Sequence, residues 1–107
     1  MTSQQLINVL QELTTASRSI KDSTELYATM DKYDMLFLGE NFNYINTVEL
    51  RHTLSDHFGM KISNEELNSM IPGVCDSIGM KYDAMYSVKD LERSNRSNVY
   101  CYQLILW

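Results

Sequence analysis

The sequence predicts one α+β domain, with helices filling the front and middle of the chain and a β-hairpin closing it. Three observations carry that reading. Helix-start signals recur, each a capping residue with Gln or Glu three positions later, and each opens a run of apolar residues spaced three or four apart. Beyond Gly79 the period changes to two. A ten-residue polar stretch, 89–98, then separates two strand-like runs.

Taken in order, Thr2 with Gln5 opens a first helix whose apolar face is Leu6, Val9, Leu10, Leu13 and Ile20. Asp22 with Glu25 opens a second, whose stripe of Leu26, Tyr27, Met30 and Tyr33 runs toward Gly39 and the Asn-rich stretch Asn41-Phe42-Asn43. Asn46 with Glu49 opens a short third helix carrying Leu50, Leu54 and Phe58, and Gly59 stands where a left-handed C-cap belongs. Ser63 with Glu66 opens the fourth and best-patterned helix, with Leu67, Met70, Ile71, Val74, Cys75 and Ile78 on one face up to Gly79. Pro72 lies inside it, lacks an N–H and crowds the carbonyl four residues back, so a kink or a split is expected there.

After Gly79, the residues Tyr82, Ala84, Tyr86 and Val88 alternate with Lys81, Asp83, Met85 and Ser87, the pattern of a half-buried strand. Val99 to Trp107, rich in aromatic and branched residues, reads as a second strand packed on the helices.

The totals agree with a single domain over 1–107. A chain of 107 residues with 44% hydrophobic and 21% charged residues, one proline and four glycines is long enough for a core and excludes a low-complexity class. No apolar run reaches the roughly 18–20 residues of a membrane span, and Met1 to Gln5 lacks the features of a signal peptide. A cytoplasmic protein is expected, or one of a host's cytoplasm if the source is viral. Cys75 and Cys101, without CxxC spacing, read as buried reduced thiols.

The net charge is −5, with four Lys/Arg against eight Asp/Glu in residues 1–59 and five against six in residues 60–107. Nucleic-acid binding draws on phosphate neutralisation, so such a domain needs its cations gathered on one face. The hairpin loop is the one locally basic stretch. Its Lys89, Arg93, Asn95 and Arg96 are residue types that bind phosphate without demanding sequence.

In this order the back of the chain resembles the winged helix-turn-helix superfamily. Val48 to Phe58 corresponds to the first helix of the helix-turn-helix, Gly59 to Ile62 to the turn, Ser63 to Ile78 to the recognition-type helix, and Tyr82 to Val88 with Val99 to Leu106 to the wing. The resemblance implies an α+β fold with a helical N-terminal half, a helix-turn-helix and a C-terminal hairpin wing. It implies a non-enzymatic, regulatory nucleic-acid-binding protein that offers Asn64, Glu65, Asn68 and Ser69 to a major groove and Arg93 and Arg96 to the adjacent backbone or minor groove. The helix departs from the superfamily's pattern by opening with Glu65 and Glu66, which repel phosphate. That departure raises an alternative: a small acidic phage or mobile-element protein that uses the same fold to occupy a basic surface of a host nucleic-acid-processing protein.

A second, local likeness is to the helix-linker-helix between paired EF-hands of calmodulin-like proteins, carried by Tyr44 to His52, Lys61 to Leu67, and Met70-Ile71. With Glu49 at loop position twelve, Leu38, Glu40, Phe42 and Asn43 fall at positions one, three, five and six, which cannot build an oxygen cage, so calcium binding is expected to be absent. His52 and His57, five apart on one helix, miss ligand spacing, and no HExxH, phosphate loop or nucleophile elbow occurs. No cofactor or active site is expected. Tyr82, Tyr86, Tyr100 and Tyr102 read as interface residues, and the stripe of Leu6, Leu10 and Leu13 as a possible homodimer patch or a cap on the core.

Overall fold

The computed structural model describes residues 1–86 and 99–107. Among these the chain forms four helices, α1 (Ser3–Arg18), α2 (Ser23–Tyr33), α3 (Thr47–Asp56) and α4 (Asn64–Ile78), and three strands, β1 (Tyr44–Asn46), β2 (Lys81–Met85) and β3 (Cys101–Ile105). The strands make one antiparallel sheet in the order β1-β3-β2. The last strand in sequence is therefore the central one.

Local chemistry starts each helix where the pattern predicts. Thr2 accepts from the Gln5 N–H at 3.2 Å while the Gln5 side chain accepts from the Thr2 N–H at 2.8 Å, a complete capping box. Asp22 accepts from the Glu25 N–H, and Ser63 from the Glu66 N–H. At α3 the cap differs from expectation, because Asn46 accepts from Val48 rather than from Glu49. The Glu49 carboxylate instead accepts the Leu36 N–H at 3.2 Å.

The core gathers Leu6, Val9, Leu10 and Leu13 of α1, Leu50 and Leu54 of α3, Leu67, Ile71, Val74 and Cys75 of α4, and the inner faces of β1 and β3. Each such side chain taken fully out of water is worth roughly 1.5–3 kcal/mol. Leu6, Leu10 and Leu13 of α1 are buried within the chain, so these three cap the core and do not form an exposed patch.

Three further expectations are corrected. Helix α4 runs unbroken through Pro72, so a split there is excluded. Buried residues on both sides of the proline, Leu67 and Ile71 before it and Val74 and Cys75 after it, hold the two halves on one core and outweigh the lost hydrogen bond. Strand β2 is an edge strand, mostly exposed along its length, rather than half-buried throughout; Tyr82 and Tyr86 are partly covered, and Ser87 and Val88 lie outside the described residues. Tyr102, read as an interface residue, is 8% exposed and belongs to the core.

Between α2 and β1 the backbone makes two special turns. Asp34 ends α2 in the left-handed region, with its N–H donated to Met30. The chain then runs extended, Met35 and Phe37 inward, Leu36 and Leu38 outward. Leu38 exchanges two backbone bonds with Tyr44, at 2.8 and 3.0 Å, and covers the outer edge of β1. Gly39, at φ +88, makes the turn, a conformation that suits a residue with no Cβ.

Candidate functional site

The surface singled out by sequence is the solvent face of α4 with the hairpin beside it. Asn64, Glu65, Glu66 and Ser69 are exposed on the first turns of α4, and Asp76 is exposed near its end. The helix carries three carboxylates and neither Lys nor Arg.

Two polar side chains on its first turns are already engaged, and Asp76 accepts the Tyr82 hydroxyl at 3.2 Å. The Asn68 amide donates to the carbonyls of Val99 and Tyr100, at 3.3 and 3.2 Å, tying α4 to the segment that enters β3. The Ser69 hydroxyl donates to the Glu66 carbonyl at 2.7 Å. Asn68 thus brings the helix face and the hairpin base together, a link with no signature in the sequence because its partners are backbone carbonyls about thirty residues away. Beside it, Tyr100 is 60% exposed. Lys89, Arg93, Asn95 and Arg96 lie outside the described residues.

The remaining reactive groups are placed as follows. Both histidines are exposed, and His57 packs edge-on against Tyr33 and Phe58, with ring centroids 4.9 and 4.8 Å apart. Cys75 and Cys101 are buried free thiols, and burial, reinforced by Asp76, pushes the Cys75 thiol up to about 11, the direction that suppresses the thiolate. Among the described residues no three His, Cys, Asp or Glu side chains are grouped to hold a metal ion. No described helix is long and apolar enough to cross a membrane.

Two of the clefts away from α4's exposed face bring aromatic and charged side chains together. One, of about 520 Å³, lies where α1 meets the close of α4 and β3 and is lined by Arg18, Lys81 and Trp107. The Arg18 guanidinium sits 5.4 Å from the centroid of a Trp107 ring, and the indole N–H donates to Ser17 at 2.8 Å. The other, of about 320 Å³, lies beside α2 and is lined by Tyr27, Met30 and Leu36 together with Asp31, Asp34 and Glu49.

No protein-family model, no curated protein and no solved structure matches this chain.

Proposed function

We propose that the chain is a non-enzymatic binding module of winged-helix type whose partner is a basic surface on another protein, with regulation or inhibition of that protein as its role. The observation that carries this reading is the charge of α4. Its exposed positions include Glu65, Glu66 and Asp76 and no cation, and the donors a groove-reading helix needs at Asn68 and Ser69 are committed within the fold. Three carboxylates on the face that would meet a polyanion oppose binding, whereas the same face attracts Lys- and Arg-rich surfaces.

A second reading, a regulatory nucleic-acid-binding protein, is favoured by a different observation. The order α3, α4, β2, β3, with β2 and β3 paired antiparallel, agrees with the order the resemblance implies for a helix-turn-helix and its wing. Lys89, Arg93, Asn95 and Arg96 between β2 and β3 are the residues that would meet phosphate.

Titration with a random DNA duplex at two salt concentrations separates the readings. The protein-partner reading expects no saturable binding at low salt, and expects a captured basic protein to be released by Glu65→Lys with Glu66→Lys. Duplex affinity that falls as salt rises, and that Arg93→Ala with Arg96→Ala removes, would replace it with the nucleic-acid reading.

A further inference from the structure

The apolar stripe of α2 is only partly used inside the chain. Of its eleven residues Tyr33 alone is buried, and Tyr27 is 70% exposed. After the left-handed turn at Asp34, the extended run places Leu36 and Leu38 on the outside, 48% and 46% exposed. Tyr27 and Leu36 line one groove, and exposed apolar side chains at one surface with a polar rim are a mark of binding.

The rim is of one sign. The groove beside α2 has Tyr27, Met30, Met35 and Leu36 as its apolar wall, and among the described residues its charged lining is Asp31, Asp34 and Glu49. Lys32, next to Asp31 in sequence, is turned away over the Tyr33 ring, 5.1 Å from its centroid. Glu49 is fixed by accepting the Leu36 N–H, so one carboxylate is positioned before any ligand arrives. At about 320 Å³ the groove sits at the bottom of the roughly 300–1,000 Å³ range of small-molecule pockets. That space suits one or two side chains of a chain segment, and the carboxylates favour a cationic one.

We propose that this groove docks a basic, amphipathic segment of a partner protein, with an apolar side chain seated between Tyr27 and Leu36 and Lys or Arg side chains reaching Asp31, Asp34 and Glu49. The proposal rests on the protein-partner reading and names a surface that contains no residue of α4. A hydrophobic anchor inside a charged rim is how short amphipathic segments are held in grooves.

The test is a two-dimensional amide NMR titration of the full chain with a synthetic amphipathic peptide of Leu and Lys, and with its counterpart of Leu and Glu. The Leu/Lys peptide is expected to shift the amides of Tyr27, Asp31, Leu36 and Glu49 saturably, and the Leu/Glu peptide to shift none. Leu36→Ser, at an exposed position whose folding a thermal melt verifies, is expected to weaken binding at least tenfold. Asp31→Asn with Asp34→Asn should weaken it and reduce its salt dependence.

Absence of a saturable shift overturns the proposal, as does binding that Leu36→Ser leaves intact. Shifts in these same amides that appear on concentrating the protein alone would assign the groove to a second copy and overturn it too. Shifts centred on Glu65, Glu66 and Asp76 would remove the groove but leave the protein-partner reading standing. Failure of that reading shows separately, as salt-dependent duplex binding.

Discussion

The hydroxyl oxygen of Thr47 accepts the backbone N–H of Tyr102 at 2.8 Å, across fifty-five positions of sequence. The register explains why. Ile45 pairs with Leu104 and Asn46 with Gln103, so the next rung of the ladder joins position 47 to position 102. By then the chain has turned into α3, and the Thr47 carbonyl belongs to the helix. The side chain supplies the acceptor that the backbone has withdrawn, in a site where both Thr47 and Tyr102 are buried.

Thr47→Val keeps the shape of the side chain and removes the acceptor, leaving a buried N–H unpaired. The expected loss is about 1–3 kcal/mol, read as a lower urea midpoint at unchanged slope. Thr47→Ser, which retains the oxygen, should cost less. Equal midpoints for the two variants would show that the hydrogen bond contributes nothing.

Gly73 and Gly79 should respond to alanine with opposite signs. A Cβ at either meets no atom within 4 Å, but Gly79 stands at φ +70 while Gly73 lies within α4 without a positive φ. Gly73→Ala is expected to stabilise by about 1 kcal/mol through helix propensity. Gly79→Ala should destabilise by about 1–2 kcal/mol, the cost of a side chain in the left-handed region. Thermal melts of the two variants and the parent, side by side, decide it.

Much of this architecture is legible in the chain because helix starts are local. Thr2, Asp22, Asn46 and Ser63 each cap within three residues, and Gly59 adopts a positive φ as expected, although the C-cap of α3 is His57, in the right-handed region. Strand β1 escaped notice for the complementary reason: Tyr44-Ile45-Asn46 is too short to show a period and is a strand only by pairing with β3, about sixty residues on. The α2 stripe misleads in part, since spacing shows which residues share a face and not how much of that face is covered. The candidate site divides likewise. Charge on α4 is read directly from its residues, whereas the use of Asn68 as a tether depends on where Val99 and Tyr100 come to rest.

Asn68→Ala removes both bonds from α4 to the entry of β3. At roughly 0.5–1.5 kcal/mol per bond, the loss should be concentrated at the hairpin base. Hydrogen exchange is expected to quicken at Tyr100 and Cys101 and to stay unchanged at Leu10 in α1. Uniform acceleration across the chain would mean that Asn68 supports the whole fold instead.

The phenol of Tyr33 gives stability a dependence on alkaline pH. Burial, reinforced by its 2.9 Å hydrogen bond to Glu12, pushes it up from 10 to about 12. Below pH 10 the phenol is neutral in folded and unfolded chains alike, and its contribution is fully present. Between 10 and 12 the unfolded chain has released a proton that the folded chain retains, so stability falls as pH rises. Urea midpoints measured from pH 9 to 12 should decline less steeply in Tyr33→Phe than in the parent.

The placement of β3 at the centre of the sheet also governs the order of events during synthesis. β1 and β2 are not neighbours in the sheet; among the described strands each pairs with β3. As the chain leaves the ribosome, every helix and both outer strands emerge before the strand that joins them. Apolar side chains of α1, α3 and α4 that finally close over Tyr102 and Leu104 must wait, and for that interval the nascent chain is a set of helices without a floor. A pause in translation before Cys101 would therefore expose more aggregation-prone surface than a pause between any two helices, because long-range strand pairing is the last contact this topology can make.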